Sequence, residues 1–136
     1  MKQEVLGIGV DVVELSRFDE ALQRWGQKLL ERLFCSGEVP EFDMYQRNRK
    51  RALEVWCGRF AIKEAVLKAL GAGLGQLSWK YIMTEKSPCG TPGVVLCGAC
   101  LEYARRRGIT QVLVSVSHSE HICVAHAVAL GQPVVR

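Results

Sequence analysis

The sequence predicts an α+β fold, built on one long helix and on antiparallel strands. A helical pattern runs from about Asn48 to Leu70, contains mostly good or neutral helix formers, and stops at a glycine. Residues 4–14 form an apolar segment rich in Val, Ile and Leu, which is typical of a buried strand. Residues 111–117 and 121–130 are two apolar segments joined by a short polar turn, as in a closing hairpin.

Shorter elements fill the chain between these segments. A first helix is predicted from about Arg17 to Trp25, with Ser16 as its N-cap and Gly26 at its end, and a second short helix follows. Ser36 is a candidate cap for a further helix, whose start Pro40 restricts. The remaining elements are two strands and a helix, over residues 79–85, 94–97 and 99–107. With no linker or repeat, residues 1–136 are expected to form a single domain.

Composition excludes several classes of protein. The chain has 49% hydrophobic and 24% charged residues, as in soluble globular proteins. No apolar run approaches the roughly 20 residues that span a bilayer, and the N-terminus lacks the features of a signal peptide. We therefore expect a cytoplasmic protein without a membrane partner. In that setting the six cysteines are expected to be free thiols.

The net charge of +4 is concentrated in two basic clusters, within residues 47–51 and 105–107. Such clusters attract phosphates, nucleic acid or acidic proteins, but they also occur on solvated helix faces. A nucleic-acid-binding domain is therefore one alternative. The absence of aromatic residues among the basic ones argues against binding of single strands.

Two carboxylates stand out because each interrupts an apolar stretch. Asp11 follows Gly7 and Gly9 on one face of the first strand, where missing side chains let a ligand or another backbone approach closely. Glu64 lies on the long helix, one turn before Lys68. An unpaired buried carboxylate is costly, so a shared divalent ion is one explanation. The alternatives are an Asp11 that caps an element or pairs with a nearby Arg, and an ordinary Glu64–Lys68 surface pair.

Other motifs are weaker. Ser117 and His118 end a strand of alternating apolar and hydroxyl residues, which suits phosphate or ribose contacts but equally an ordinary hairpin edge. Cys97 and Cys100 have redox spacing, which leaves a thiol-redox protein as an alternative. A zinc site is a further alternative, with these candidate ligands: His118, His121, Cys123 and His126. A serine hydrolase does not match, because the chain has no Gly-x-Ser-x-Gly elbow.

Three ordered blocks together resemble the holo-acyl-carrier-protein synthases, the small class of 4′-phosphopantetheinyl transferases. The blocks are Gly7-Ile-Gly-Val-Asp-Val-Val-Glu-Leu-Ser-Arg-Phe18, Gly58-Arg-Phe-Ala-Ile-Lys-Glu-Ala-Val-Leu-Lys-Ala-Leu-Gly71 and Val114-Ser-Val-Ser-His-Ser119. The resemblance implies the fold of that family, with a mainly antiparallel sheet packed around a long central helix and a homotrimeric assembly. It also implies an enzyme of fatty acid biosynthesis that transfers phosphopantetheine from coenzyme A to a serine of apo acyl carrier protein.

The resemblance assigns roles to individual residues. Asp11 and Glu64 are expected to bind Mg²⁺ together with coenzyme A phosphates, which suits the preference of Mg²⁺ for hard oxygen ligands. Lys68 is expected to approach the phosphates and to stabilise the leaving group. Either Glu64 itself or a metal-bound water is implied as the base for the incoming serine. Further contacts to coenzyme A are expected from Arg49, Arg51, Arg59, Gly71, Gly73, Ser117 and His118.

The protein substrate implied by the resemblance is acidic, so a basic surface is expected to receive it. Arg17, Arg24 and Lys28 would lie along one side of a helix that continued through Gly26. Phe18 and Ala21 are expected to add apolar contact on the same surface.

Overall fold

The computed structural model describes residues 2–35, 37–38, 43–73 and 75–134. Its helices are α1 (Leu15–Trp25), α2 (Gln27–Leu33), α3 (Asp43–Arg47), α4 (Arg49–Leu70) and α5 (Gly98–Arg106). Its strands are β1 (Glu4–Glu14), β2 (Ile82–Lys86), β3 (Pro92–Leu96), β4 (Ile109–His118) and β5 (Ile122–Gly131). A 3₁₀ turn, Trp79–Tyr81, precedes β2. The predicted α+β class and the long helix are confirmed.

The strands form two antiparallel sheets. One has the order β1-β5-β4 and the other pairs β2 with β3. The predicted hairpin of residues 111–117 and 121–130 is confirmed as β4 and β5, whose first pair is Ile109 with Gly131. Helix α4 packs against β1, β5 and β4, and its buried residues form the centre of the hydrophobic core. The long helix therefore holds one face of the larger sheet, and that arrangement places its side chains against β1.

Strand β1 is only half buried, so the prediction of a buried strand is wrong for one of its faces. Gly7 and Gly9 face α4 so closely that a Cβ atom at either position would collide with a carbonyl oxygen of the helix. The close approach anticipated from these glycines is therefore made by a backbone. On the opposite face Ile8 is 72% exposed and Val12 is 58% exposed. The larger sheet thus carries an apolar surface that the described residues leave uncovered.

The N-terminal helices differ from prediction in two respects. Helix α1 begins at Leu15, so its N-cap is Glu14, and the predicted capping role of Ser16 is wrong. The helix ends at Gly26, where a separate helix begins, so no continuous helix carries residues 17–28. The candidate helix cap at Ser36 and the restriction at Pro40 lie outside the described residues.

A buried ion pair ties α4 to the surrounding segments. The Lys63 ammonium, which is fully buried, donates to Glu38 Oε1 at 2.7 Å and to the carbonyl of Trp79 at 3.0 Å. Glu38 also accepts hydrogen bonds from the backbone N–H of Cys35 and from both N–H and Oγ1 of Thr84. With this many partners the buried charges are satisfied. The pair fixes the 3₁₀ turn beside the helix residue that precedes Glu64.

Candidate active site

A cavity of about 770 Å³ opens between β1, α4 and the segment that follows α4. Asp11 and Glu64, which β1 and α4 contribute, both line it, and so does Lys68. The Gly-rich segment supplies one wall, and Trp79 closes another. Two carboxylates that lie far apart in the sequence therefore share one cavity.

Lys68 pairs with Asp11. Its ammonium lies 3.1 Å from Asp11 Oδ1 and donates to the carbonyl of Val10 at 2.8 Å. A local pair of Lys68 with Glu64, one turn earlier on α4, was one alternative from the sequence, and a cap or an Arg pair was the alternative for Asp11. The contact instead crosses from α4 to β1. Since the Lys68 side chain is still 55% exposed, its charge remains accessible from the cavity.

Glu64 is a partly buried acid of α4. Burial raises the pKa of its carboxyl, and the nearby Asp11 raises that pKa further, whereas Trp79 and Lys68 lower it. The indole nitrogen of Trp79 is buried and has no hydrogen bond of good geometry within the described part of the chain. Glu64 therefore faces the cavity as a carboxylate whose charge is poorly compensated by the protein.

These residues suit a Mg²⁺ ion that is completed by a substrate. Both ligands would be hard carboxylate oxygens that line one cavity, and the negative charge of Asp11 raises the pKa of Glu64. Among the described residues no group of three or more His, Cys, Asp or Glu side chains is arranged to hold a metal. Mg²⁺ is commonly held by one or two carboxylates together with substrate phosphates and water. The carboxylate pair matches that pattern.

A second cavity, of about 360 Å³, contains three more of the residues expected to contact coenzyme A. Arg51, Arg59 and His118 line it together with Lys86. Burial lowers the pKa of the Arg59 guanidinium, since a cation that has lost water is disfavoured, and the negative charge of Glu38 opposes this shift. Glu54 and Glu85 also line this cavity, so its three cations outnumber its carboxylates by one, whereas in the first cavity Arg32 and Lys68 balance Asp11 and Glu64.

Three predicted contact residues line neither cavity. Arg49 pairs with Asp19, which also accepts a hydrogen bond from Tyr45. Burial alone would raise the pKa of Asp19, but the hydrogen bonds from Arg49 and Tyr45 hold it below its usual range. Gly71 caps α4 in the left-handed region, and Ser117 lies on the outer face of the sheet, opposite Val124. These three residues therefore lie outside both cavities.

Comparison with known proteins decides the family. Residues 7–124 match the family model described as the 4′-phosphopantetheinyl transferase superfamily. A holo-[acyl-carrier-protein] synthase of Desulforudis audaxviator is 44% identical over 93% of this chain and 94% of its own length.

This chain belongs to the 4′-phosphopantetheinyl transferase superfamily, among the holo-[acyl-carrier-protein] synthases.

Solved structures of holo-acyl-carrier-protein synthases share the fold. The holo-acyl-carrier-protein synthase of Plasmodium yoelii aligns with a TM-score of 0.83 and 29% identity, over 97% of this chain and 99% of that one. The synthase of Bacillus anthracis, solved in complex with coenzyme A (3′,5′-ADP), aligns with a TM-score of 0.73 and 28% identity, over 94% and 98%. The transferase fold expected from the sequence is confirmed. Within the described residues, no helix is long and apolar enough to cross a membrane.

The transferase also has an apolar groove of about 380 Å³ beside the first cavity. Three of the residues expected to contact a carrier line it: Arg17, Phe18 and Ala21. Phe18 is only 6% exposed and packs on Phe60, so it forms the floor of the groove rather than a free surface contact. Arg24 and Lys28 are exposed but lie on separate helices, so the single helical stripe expected from the sequence is wrong.

Sequence reasoning missed two residues that line both the first cavity and the groove, Arg32 and Trp79. No sequence feature marked Arg32 as a site residue, because an arginine near the end of a helix is common. Trp79 closely follows the Gly-rich segment, which is a sequence feature that could have indicated a site residue, but it was interpreted as the start of a strand. The structure places it in the 3₁₀ turn before β2, so that prediction is wrong.

Neither the zinc alternative nor the thiol-redox alternative matches the geometry. Cys123 is buried whereas His126, on the same strand, is exposed on the opposite face, so the two cannot share a zinc ion. Burial raises the pKa of Cys100 to about 11, which is opposite to the lowered pKa of a redox thiolate. All six cysteines are free thiols, as expected.

Proposed function

We propose that this transferase moves 4′-phosphopantetheine from coenzyme A to a serine of apo acyl carrier protein, with Mg²⁺ held by Asp11 and Glu64. The observation that carries the proposal is the first cavity, where both carboxylates and Lys68 meet. Family membership and the coenzyme A complex of the Bacillus anthracis relative support the choice of donor substrate. The same family supports a place in fatty acid biosynthesis.

In the proposed reaction the serine oxygen attacks the β-phosphorus of coenzyme A and forms the new P–O bond. The bond to the adenosine bisphosphate half breaks, and that half leaves with the electron pair. Glu64 takes the serine proton, directly or through a water, since it is the half-buried acid with the raised pKa. Lys68, whose ammonium is half exposed, stabilises the charge on the leaving oxygen. When bound, Mg²⁺ neutralises the pyrophosphate charge.

The proposed carrier surface is the apolar groove with its basic rim. Arg17 and Arg32 border the groove, and Arg24 and Lys28 are exposed on the adjoining helices. An acidic protein would be steered by these charges, while the groove accepts an apolar side chain. Because Arg32 and Trp79 line both the groove and the first cavity, a carrier seated here would place its serine near the phosphates.

We further propose a homotrimer in which the second cavity of one subunit completes the first cavity of its neighbour. The exposed apolar face of the larger sheet supports it, with Ile8, Val128 and Leu113 forming one row across three strands. Continuous apolar surface of this kind marks an interface. Arg51, Arg59 and Lys86 in the second cavity would then meet the adenosine bisphosphate half of a coenzyme A held by the neighbour. A cytoplasmic location and a single domain remain predictions from the sequence.

The central test is carrier modification followed by mass spectrometry. The protein is incubated with apo acyl carrier protein, coenzyme A and Mg²⁺, and the intact carrier is weighed for the added arm. Asp11→Asn and Glu64→Gln, which remove charge without changing shape, should each abolish Mg²⁺-dependent transfer, whereas Glu102→Gln on the exposed face of α5 should not. Absence of transfer by the wild type beside an active control synthase would overturn the function, and a normal rate in either site variant would overturn the metal assignment.

The subunit arrangement has a separate test. Asp11→Asn inactivates the first cavity and Arg59→Ala the second, so each variant alone should be nearly inactive. If every site combines two subunits, co-expressed random mixtures contain about a quarter of the sites intact and recover about a quarter of wild-type activity. No recovery, with trimers demonstrated by light scattering, contradicts shared sites; monomers at every concentration contradict the trimer.

A further inference from the structure

The Gly-rich wall of the first cavity is held from behind by α5. The Tyr103 hydroxyl donates to the carbonyl of Gly71 at 3.1 Å. The Arg107 guanidinium donates through Nη1 to the carbonyl of Leu70 at 2.6 Å. Tyr103 and Arg107 are called the α5 clamp below. Neither of them lines the cavity, so any effect they have on a ligand passes through the segment that follows α4.

Among the described residues of that segment, few other hydrogen bonds hold it in place. Residues 71–73 and 75–76 include three glycines, which lose much conformational entropy when ordered. Within the segment, Gly73 donates to Gln76 Oε1 at 3.1 Å, and the Gln76 N–H donates to the carbonyl of Gly73 at 3.3 Å. Ala72 returns a hydrogen bond to Leu67. Its position relative to Asp11 and Glu64 therefore depends strongly on the α5 clamp.

The clamp also acts on the electrostatics of the cavity. The last carbonyls of a helix have no partner within the helix and carry partial negative charge, which repels a phosphate group nearby. The clamp donates hydrogen bonds to the carbonyls of Leu70 and Gly71, at the end where Lys68 supplies a cation. These hydrogen bonds reduce the negative potential at the end of α4, so the helix end repels an anionic ligand in the cavity less.

The contact with Arg107 requires a glycine at position 71. Gly71 lies at φ +79°, where side chains are strained, and a Cβ atom there would collide with Arg107 Nη1. The guanidinium thus occupies the space that a side chain at position 71 would take. Glycine at this position serves the contact with Arg107 as well as the helix cap, although Gly71 itself does not line the cavity.

We propose that Tyr103 and Arg107 are positioning residues that hold the Gly-rich wall in the conformation that binds the phosphates of coenzyme A. The identity of the ligand rests on the proposed function, whereas the clamp itself is a property of the ligand-free protein. Loosening the clamp should therefore weaken coenzyme A binding far more than it slows the chemical step, because the carboxylates and Lys68 stay on β1 and α4.

The first test needs no substrate. Amide hydrogen exchange is measured residue by residue by NMR in the wild type, in Arg107→Met and in Arg106→Met. Arg106 is the matched control, because it lies next to Arg107 and pairs only weakly, at 3.4 Å, with exposed Glu102. A lost charge-assisted hydrogen bond should speed exchange at Gly73 and Gln76 by about tenfold in Arg107→Met and leave strand β5 unchanged. Equal exchange in the two variants would overturn the clamp.

The second test reads binding and turnover. The Kd for coenzyme A, measured by calorimetry without Mg²⁺, and the KM should rise about tenfold in Arg107→Met, while kcat changes much less. Arg107→Lys should recover part of the loss, since it keeps one cationic donor. Tyr103→Phe removes only a hydroxyl, so it should fold and show a smaller effect in the same direction. An unchanged Kd, or a fall in kcat at constant KM, would contradict positioning. A wild type that binds no coenzyme A would instead defeat the proposed function, and the exchange result would still decide the clamp.

Discussion

Replacement of Lys63 by Met should strongly destabilise this protein, because it leaves the Glu38 carboxylate buried without its cation. Both side chains are at most 1% exposed, so water cannot replace the lost ammonium. Removing one partner of a buried ion pair costs about 3–5 kcal/mol. Three hydrogen bonds to Glu38 remain, from the Cys35 N–H and from the N–H and Oγ1 of Thr84, so we expect about 3 kcal/mol, the lower end of that range.

For a chain of this size that loss corresponds to a fall in Tm of about 10 °C. Urea unfolding at fixed protein concentration measures the free energy, since assembly would make the result concentration-dependent. The control is Lys50→Met, an exposed lysine of the same helix, which should change stability by less than about 0.5 kcal/mol. In the double variant Lys63→Met/Glu38→Gln no charge is stranded, so the total loss should be smaller than the sum of the single losses. Equal stability of the Lys63 and Lys50 variants would refute the reasoning.

Three further predictions concern packing, pH and thiol reactivity. Gly9→Ala should lower the free energy of unfolding by about 1–3 kcal/mol, because its Cβ would collide with α4. Gly37→Ala, which has open space around it among the described residues, should lower it little, and urea unfolding compares the two variants. The carboxyl of Asp19 has a pKa below its usual range in the folded state, so its contribution to stability is present above about pH 4 and is lost as the pH falls through the folded pKa. Unfolding of Asp19→Asn and wild type should therefore converge in acid, and a constant difference would contradict this. The exposed thiol of Cys89 has its pKa lowered to about 7, first by the hydrogen bond with Ser87, so alkylation followed by mass spectrometry should modify it fastest and half-maximally near pH 7.

Local patterns were sufficient for the longest elements. Helix α4 matches its predicted span closely, because its residues favour helix throughout, the side chain of Asn48 caps its start, and Gly71 ends it. The same local rules failed at residues 79–81. There the apolar character resembled a strand, but the carbonyl of Trp79 accepts from Lys63, and this long-range contact accompanies a 3₁₀ turn.

The candidate site shows the same division. Asp11 and Glu64 were identified because buried acids are costly, and that cost is a property of the residue and its neighbours in sequence. The partner of Lys68 was not identified from the sequence. The i,i+4 spacing favours Glu64, whereas the actual contact with Asp11 crosses from α4 to β1. Residues such as Arg32, which have no local signal, became visible only through the cavity that they line.

By itself the sequence determined the α+β class, the long helix, the two carboxylates and the resemblance to the transferase family. These depend on local propensity, on periodicity and on ordered motifs, all of which are features of the linear sequence. The tertiary structure alone decided that α4 fills the space left by the glycines of β1 and that one face of the larger sheet stays exposed. It also decided that Asp11 and Glu64 share one cavity while Arg51, Arg59 and His118 line another. Those outcomes depend on which distant segments pack together, and backbone packing over long sequence separations leaves no periodic signal in the residues themselves.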